Sequence, residues 1–334
     1  MRAEALFEEY RGGVLECVHY GAYALVHERD GLIRQKGDAD WSCFYRSASK
    51  PIQALPVLMR GLHRKYGLTD EETAILSGSH WGDEEHVRVL ESILAKAGLN
   101  EEQMVMLPAY PVRPSRKDDL LRKNAAPRKL YHNCAGKHLG LMMLARELGE
   151  PVESYWRRNS RAQREVRSMI ALVSETPEDR IGVGVDGCGV PVFAVPFQNI
   201  ARSFLNLARP ERIKNDRVAQ AAFENYRRVH RHPTMLAGDG LVCSIVAKSP
   251  DLLGKSGALG VYAIGIRSLG IGMALKISDG SHAEFEAAVI ETLKHLGVAE
   301  DVADELSEKY PPALFNGNQE LVGFRKSVIF PADG

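Results

Sequence analysis

The sequence predicts an α+β fold in which strands from both ends of the chain form one antiparallel sheet with helices packed on it. Strand-like patterns occur over roughly the first 35 residues and return after residue 180, while mainly helical patterns fill the interval between them. This order differs from the regular alternation of a parallel α/β sheet. We therefore expect one domain over residues 1–334, with a helical subdomain at about 47–180.

The strands near the N-terminus are predicted from the alternation of apolar and polar side chains that a sheet requires. Residues 13–19 and 22–27 show this alternation, with Tyr20-Gly21 between them as a turn. A third strand is predicted at 32–34. Together these segments predict a meander of three strands.

Periodicity also predicts the elements of the rest of the chain. Helices are predicted at 51–63, 70–77, 84–97, 137–147 and 153–173. Strands are predicted at 181–185, 192–195, 241–247, 259–267 and 271–277, followed by helices at 283–296 and 300–309. The proline-rich and charged segment 107–127 is predicted to be a mobile lid or a peripheral loop.

Composition excludes several classes of function. Lys+Arg and Asp+Glu each number 43, so the net charge is zero and no electrostatic field would attract nucleic acid or anionic lipid. The chain contains no apolar run long enough to span a bilayer and no pattern typical of a signal peptide. Its 5 cysteines are an odd number without a Cys-x-x-Cys pair, which favours a reduced, cytoplasmic protein.

Ser47 and Lys50 stand three residues apart where a helix is predicted to begin. Helical geometry places such residues on one face, so the hydroxyl and the amine can come within hydrogen-bond reach. A lysine with a lowered pKa can take the serine proton, and the helix N-terminus offers donors for the oxyanion of acyl transfer. The alternative is that Ser47 caps the helix and Lys50 is solvated.

Lys255-Ser-Gly257 is the second candidate element, and a predicted strand follows it. Serine acyl enzymes of the penicillin-recognising type combine Ser-x-x-Lys at a helix start with Lys-Thr-Gly or a similar element on a strand. Both elements occur here in that order. Alone, Lys-Ser-Gly would be an ordinary turn; together, the two elements favour a serine acyl enzyme.

Six motifs together make the chain resemble the asparaginase II family, the thermolabile type of asparaginase. The motifs are Arg46-Ser-Ala-Ser-Lys-Pro-Ile-Gln-Ala-Leu-Pro56, Ser79-His80, Asn133-Cys-Ala-Gly-Lys-His138, Asp186-Gly-Cys-Gly-Val-Pro191, Arg231-His-Pro-Thr-Met-Leu-Ala-Gly238 and Lys255-Ser-Gly-Ala-Leu-Gly260. The resemblance implies a fold like that of serine β-lactamases and the related glutaminases. It also implies hydrolysis of the side-chain amide of L-asparagine.

The resemblance further implies roles for individual residues. It pairs Ser47 with Lys50 and Ser79 with Lys255 as two catalytic Ser–Lys tandems. It implies a zinc site formed by Cys134, Lys137 and Cys188, beside the catalytic serines. The residues that it implies for substrate binding are His80, Asn133, Gly136 and Asp186.

Reasoning from the residues themselves leaves three points open: the metal site, the role of Arg46, and the role of Arg231 with His232. Cysteine thiolates are good zinc ligands, but lysine is an uncommon one and the spacing of Cys134 and Cys188 has no metal-binding signature. Zinc is therefore expected as an optional ion, and no cofactor is expected to be required. Arg46 could hold a substrate carboxylate through its fork of donors. Arg231 and His232 could form a structural clamp or contact the substrate.

Three residues depart from the family pattern. Trp81 stands where a small or polar residue is expected, Ala135 where serine is frequent, and Leu259 where glutamate is frequent. One alternative is a serine hydrolase of the same fold acting on glutamine, a β-lactam or an ester. Trp81 favours another, a binding or sensor domain that has lost turnover, while the presence of both serines and both lysines speaks against it. A homodimer is the default expectation for a soluble oligomer.

Overall fold

The computed structural model describes residues 2–281 and 284–330. Within these ranges the strands are β1 (Glu4–Arg11), β2 (Val14–His27), β3 (Gly31–Lys36), β4 (Ser42–Phe44), β5 (Gly182–Val185), β6 (Pro191–Pro196), β7 (Leu252–Gly257), β8 (Val261–Ile266), β9 (Ile271–Ile277), β10 (Ala313–Phe315) and β11 (Leu321–Ser327). The α-helices are α1 (Lys50–Gln53), α2 (Leu55–Met59), α3 (Leu62–Lys65), α4 (Asp70–Ala74), α5 (Glu84–Ala97), α6 (Pro114–Arg122), α7 (Ala135–Glu147), α8 (Arg161–Ser174), α9 (Phe197–Ala208), α10 (Asp216–Arg231), α11 (Val242–Val246), α12 (Glu284–Leu296) and α13 (Glu300–Lys309).

The chain divides into two compact units. The first comprises Met1–Ala48, Val195–Arg209 and Lys248–Gly334, and the second comprises Ser49–Ala194 and Pro210–Ala247. The first unit contains the long sheet, and the second is mostly helical. The second unit begins close to the predicted start of the helical subdomain but extends well beyond residue 180.

The sheet of the first unit is antiparallel and has the order β10-β11-β1-β2-β9-β8-β7, with β3 also paired to β2. Its strands come from residues 4–36 and 252–327, the two ends of the chain. The predicted α+β fold, with one antiparallel sheet built from N- and C-terminal strands, is confirmed. The sequence analysis missed β1, β7, β10 and β11.

The predicted turn at Tyr20-Gly21 is wrong, because β2 runs through it as one strand of 14 residues. The first half of β2 pairs with β1, and the second half pairs with β9 and β3. A Cβ atom on Gly21 would lie 2.0 Å from the Lys276 carbonyl oxygen. The glycine is therefore required by close contact between backbones within the sheet, not by a turn.

Helices cover both faces of this sheet. Tyr262 of β8 packs its ring 5.7 Å from that of Phe285 in α12. Gly265 lies three residues further along the same strand, so it faces the opposite side. A Cβ atom there would lie 2.1 Å from the Phe204 carbonyl oxygen of α9. Helix α9 therefore sits directly on glycine backbone, on the face away from α12.

The second unit is built around α7, whose residues from Ala135 to Ala145 are all buried. A helix that is buried on every side forms the centre of a helical core. Helix α10 carries instead one buried face, which includes Val218, Asn225 and Val229. A β5–β6 hairpin, with Val183 opposite Phe193, completes this unit.

Several predicted elements differ from the observed ones. Residues 241–247, predicted as a strand, form the helix α11, because a short buried apolar run fits either structure. The predicted helix 153–173 begins only at Arg161, and the predicted loop 107–127 contains α6. Residue 283, the predicted start of the helix at 283–296, lies outside the described residues. Helices α9 and α10 were not predicted.

Helix length is also informative about membranes. Among the described residues, no helix is both long enough and apolar enough to cross a bilayer.

The tight packing of α9 on the sheet can be tested at Gly272. A Cβ atom on this residue of β9 would lie 2.0 Å from the Ala201 carbonyl oxygen, so backbone must move to admit a methyl group. We expect Gly272→Ala to lower the free energy of unfolding by about 1–3 kcal/mol in urea denaturation. Gly317→Ala is the control, since nothing lies within 4 Å of a Cβ atom there. Equal stability of the two variants would contradict the packing described.

Candidate active site

Lys50 is the centre of the polar cluster in the second unit. It is the first residue of α1, and its side chain is fully buried. Its Nζ donates to the Gly78 carbonyl at 2.8 Å, to Ser79 Oγ at 2.9 Å and to the Asn133 carbonyl at 3.1 Å. The pairing of Lys50 with Ser47 stays a prediction; within the second unit Lys50 contacts the Ser79 hydroxyl.

The carbonyls of Gly78 and Asn133 affect the hydrogen bonding of Lys50 in each of its protonation states. An ammonium group has three N–H donors, which match the three acceptors in this unit. A neutral amine keeps two N–H groups, and the carbonyls of Gly78 and Asn133 offer an acceptor for each. Its lone pair can then accept the proton of the Ser79 hydroxyl, whose oxygen lies 2.9 Å away. This geometry lets Lys50 accept a proton from Ser79 without any movement of the backbone.

Ser79 is held by backbone contacts on a short extended segment. Its N–H donates to the Leu236 carbonyl at 2.8 Å, and the Trp81 N–H donates to the Ala237 carbonyl at 2.8 Å. Gly78 precedes it where a Cβ atom would lie 2.1 Å from the Met235 carbonyl oxygen. A glycine is thus needed for Ser79 to approach the segment 235–237 closely.

Arg113 fastens the predicted lid segment beside Ser79. Its backbone N–H donates to the Trp81 carbonyl at 3.0 Å, and its guanidinium lies 5.4 Å from the centre of the Trp81 ring. The same guanidinium forms two hydrogen bonds with the Asp83 carboxylate. The segment 107–127 is therefore anchored to the residues that follow Ser79, and Trp81 is part of the anchor.

His80 is a fully buried neutral histidine. Burial lowers its pKa well below the usual range, and the charges of His86 and Lys50 lower it further. Its Nδ1 accepts from the Gly82 N–H at 3.1 Å, so the ring proton must be on Nε2. Nε2 is buried without a hydrogen-bond partner among the described residues. His80 thus has one buried N–H donor that is available to a ligand.

Two cysteines, a lysine and an aspartate form a second cluster at the N-terminus of α7. Cys134 is the residue before α7, and Lys137 lies in the first turn. The sulfurs of Cys134 and Cys188 and a carboxylate oxygen of Asp186 lie within 4.8 Å of one another. Lys137 Nζ donates to Cys188 Sγ at 2.9 Å and lies 3.9 Å from Asp186 Oδ2.

The two sulfurs share one negative charge. A hydrogen bond from Cys188 lowers the pKa of Cys134 well below that of an ordinary thiol; burial opposes this shift, and the charges of Lys50 and Lys137 support it. The hydrogen bond and burial raise the pKa of Cys188. Burial alone would lower the pKa of Lys137, but the sulfurs and Asp186 raise it overall. The cluster is therefore a thiolate paired with an ammonium group.

The donor set of this cluster fits a zinc ion. Two thiolates and a carboxylate are three ligands of the types that zinc prefers, and they already lie close together. Lys137 differs from the implied ligand set, because as an ammonium group it donates to sulfur and offers no lone pair. Asp186 is the more suitable third ligand in this geometry, while Lys137 would have to lose its proton to bind a metal.

The remaining predicted catalytic residues lie in the first unit. Ser47 is half-buried in a 3-10 helix (Arg46–Ser49), and Arg46 adopts the left-handed region with φ of 51°. Lys255 is fully buried on β7, and its Nζ donates to the Ser256 carbonyl at 2.9 Å. A Cβ atom on Gly257 would lie 2.5 Å from the Tyr45 carbonyl oxygen, so the Lys255-Ser-Gly element packs directly against the segment before Ser47. The pairing of Ser79 with Lys255 stays a prediction.

Gly136 is required by close packing, which was not predicted from the sequence. A Cβ atom there would lie 2.3 Å from the Ile75 carbonyl oxygen, so Gly136 lets α7 approach the turn that leads to Ser79. Its predicted role in substrate binding stays untested, as do those of Asn133 and Asp186.

Sequence reasoning also missed His138 and Tyr155. The Tyr155 hydroxyl accepts from the Val105 N–H at 2.8 Å and forms a hydrogen bond with His138 Nδ1 at 2.7 Å. His138 Nε2 is a second buried ring nitrogen without a hydrogen-bond partner among the described residues. The spacing could have indicated His138, because it follows Cys134 by one helical turn and therefore lies on the same face of the helix.

Comparison with known proteins identifies a matching family. A family model described as L-asparaginase II matches residues 7–326. No curated protein matches the chain. Similar solved structures include a candidate β-lactamase from Bacteroides dorei, with 12% identity, 77% of this chain and 84% of that chain covered, and a TM-score of 0.42. A β-lactamase from Mycobacterium bovis has 13% identity, coverage of 87% and 94%, and a TM-score of 0.41. Both TM-scores are below 0.5.

The charge state of Cys134 gives a pH-dependent signal. Because its pKa is lowered, the metal-free protein should show thiolate absorbance near 240 nm at pH 7, and acidification should remove it. We expect Cys134→Ser to abolish this absorbance. Lys137→Met should move the titration to higher pH, because it removes the nearby positive charge.

Cys17→Ser, which removes an exposed cysteine of β2, is the control and should leave the signal at pH 7 unchanged. A wild-type thiolate signal that first appears near pH 8.5, about the ordinary thiol pKa, would contradict the described pairing.

Proposed function

The chain belongs to the L-asparaginase II family, and from this premise we propose that it hydrolyses the side-chain amide of L-asparagine to aspartate and ammonia. Family membership supports an amidohydrolase. The observation that carries the catalytic proposal is the 2.9 Å hydrogen bond between Lys50 Nζ and Ser79 Oγ, with two carbonyls fixing the other N–H groups of the amine. Such a pair is what a serine nucleophile needs at neutral pH.

Two serines compete for the role of nucleophile, and a separate observation favours each. Ser79 contacts Lys50 directly. Ser47 stands three residues before Lys50 at the start of a helical segment, the spacing of serine acyl enzymes. If Ser47 attacks, we propose that Ser79 passes the proton from Lys50 to the leaving group. Lys50 is the base in both assignments.

The reaction has two stages. In the first, the serine oxygen bonds to the amide carbon while its proton moves to Lys50, and the tetrahedral intermediate then expels ammonia, which takes that proton. In the second, water attacks the acyl-serine and gives a proton to the base, and the serine oxygen takes that proton as its C–O bond breaks and aspartate leaves. Lys50 is again the base, or a Ser79–Lys255 pair performs this step.

Substrate recognition is proposed to use a cation and a buried donor. Arg46 can hold the α-carboxylate through its planar fork of N–H groups. His80 Nε2–H is a neutral donor without a partner among the described residues, and it suits a carbonyl oxygen of the substrate. Trp81 and Leu259 are the residues most expected to alter substrate preference, since they depart from the family pattern.

A zinc ion would be held by Cys134 and Cys188, with Asp186 or a deprotonated Lys137 as the third ligand. Zinc bound by three protein ligands supplies a Lewis acid with an open position. Zinc binding would require Cys188 to lose its proton, and the positive charge of Lys137 would oppose the ion.

The nucleophile can be assigned by single substitutions. We expect the nucleophile→Ala variant, whether Ser47→Ala or Ser79→Ala, to lose at least about 1,000-fold in kcat for ammonia release from L-asparagine, and Lys50→Met to lose as much. An acyl adduct trapped with an electrophilic asparagine analogue and located by peptide mass spectrometry identifies the attacking serine. The alanine variant of the other serine, which relays the proton, should lose activity but still form the acyl adduct.

Controls separate the substrate from the mechanism. Ser154→Ala changes a half-buried serine outside the proposed catalytic pairs and should retain full activity. L-Glutamine and a chromogenic β-lactam are assayed beside L-asparagine, and faster turnover of either would replace the proposed substrate. Full activity in both Ser47→Ala and Ser79→Ala would exclude the serine mechanism. Thermal stabilisation by asparagine without ammonia release would show a binding domain.

Zinc binding can be measured apart from activity. We expect about one zinc ion per chain in competition with a chromophoric chelator, and a loss of affinity of at least about 100-fold in Cys134→Ser and Cys188→Ser. Asp186→Asn should weaken binding more than Lys137→Met, because the ammonium group repels the ion. Cys17→Ser is the control. The reverse order of the last two variants would assign Lys137 as the ligand.

A further inference from the structure

The outer face of α10 carries a cavity that takes no part in the proposed reaction. Its volume is about 210 Å³, below the roughly 300–1,000 Å³ of pockets for drug-sized ligands. Four arginines line it: Arg64 of α3 and Arg227, Arg228 and Arg231 of α10. Such a cavity suits a small ligand, and its walls are strongly cationic.

The carboxylates of the cavity fix the arginines without neutralising them. Asp70 accepts from Arg228 Nε at 2.9 Å and from Arg231 Nη1 at 2.6 Å. Glu224 accepts from Arg228 Nη1 at 3.1 Å and from Arg64 Nη1 at 3.4 Å. Two negative charges thus orient three of the four guanidinium groups, and two of the four positive charges remain uncompensated. Several N–H groups of these guanidinium groups have no acceptor among the described residues.

Arg227 contributes charge but takes no part in this network. Among the described residues it has neither a hydrogen-bond acceptor nor an ion-pair partner, and its guanidinium lies 5.9 Å from the centre of the Phe223 ring. The exposed Phe223 also lines the cavity. An arginine stacked on an aromatic ring keeps all its N–H groups available for an anion.

A purely structural role explains only part of this arrangement. Arg228 and Arg231 lie in the last turn of α10, where positive charge stabilises the helix dipole. Arg64 belongs to another helix, and Arg227 has no partner to stabilise. Surface ion pairs would also not require more arginines than carboxylates around one concave site.

We propose that this cavity binds a small dianion, of the class of inorganic phosphate or a dicarboxylate. Guanidinium groups pair with such oxyanions through two parallel N–H donors, and the two uncompensated positive charges match a charge of minus two. The carboxylates of Asp70 and Glu224 hold the arginines in place before the ligand arrives, which lowers the entropic cost of binding.

The site is connected to the proposed catalytic pair by the opposite face of α10. Ser77 Oγ donates to Asn225 Oδ1 at 3.1 Å, and Asn225 Nδ2 donates to the Pro51 carbonyl at 3.4 Å. Ser77 precedes Ser79 by two residues, and Pro51 follows Lys50. A dianion that shifts α10 would therefore act on both catalytic segments; this part of the proposal rests on the proposed function.

Binding is tested on the full chain by titration calorimetry with sodium phosphate and, separately, disodium succinate, each at the ionic strength of a sodium chloride blank. We expect wild type to bind at least one of the two, and the preferred one identifies the ligand type. Arg227→Gln should lower affinity about tenfold or more, and it should fold normally because it breaks no hydrogen bond of the described residues. Arg157→Gln is the matched control.

Arg157 is an exposed arginine whose guanidinium lies 5.8 Å from the centre of the Trp156 ring, much as Arg227 lies over Phe223, and it does not line the α10 cavity. Binding in Arg157→Gln should equal that of wild type. The absence of heat with either anion, or equal binding in Arg227→Gln and wild type, would overturn the site.

The connection to the catalytic pair is tested by asparagine turnover with and without saturating dianion. A change in kcat or KM on addition of the dianion, abolished by Arg227→Gln, supports the connection. Unchanged kinetics overturn the connection, whereas the binding site itself is tested by the calorimetry. Failure of the proposed function would remove turnover altogether and leave the binding isotherm unaffected.

Discussion

The buried amine of Lys50 is the constraint around which the second unit is arranged. A lysine without contact with water must have acceptors for its N–H groups, since an unsatisfied buried amine would cost several kcal/mol. The carbonyls of Gly78 and Asn133 meet this requirement, and each belongs to a segment with its own chemical role. One precedes Ser79 and the other precedes Cys134. A single amine therefore aligns the hydroxyl and the thiolate.

Close backbone contacts make this alignment possible. Gly78 lies against the Met235 carbonyl and Gly136 against the Ile75 carbonyl, where neither position leaves room for a Cβ atom. The two glycines bring the Ser79 segment, the turn 75–77 and α7 together. The buried cations then balance the single charge of the two sulfurs, as buried charges require. Polar chemistry in this core depends on glycine packing as much as on charge.

Sequence patterns predicted the overall plan because strand alternation at both ends of the chain is a local signal. Local signals could not distinguish α11 from a strand, since Val242–Val246 is buried on every side. Gly21 was misread for a related reason: its role depends on Lys276, which is distant in sequence. The motif resemblance collected Cys134, Lys137 and Cys188, which the structure brings together with Asp186. The contact of Lys50 with Ser79 depends on tertiary structure and could not be read from helical spacing.

The order of strands in the long sheet governs how the chain can fold during synthesis. Strand β2 pairs along its second half with β9, which begins at Ile271 and so leaves the ribosome long after His27. At about 5–20 residues per second this delay is on the order of tens of seconds. Until then the apolar second half of β2 can pair with β3 but not with β9, and pairings of such high contact order form slowly. One edge of this strand therefore stays open during synthesis, where a chaperone would protect it from pairing with another chain.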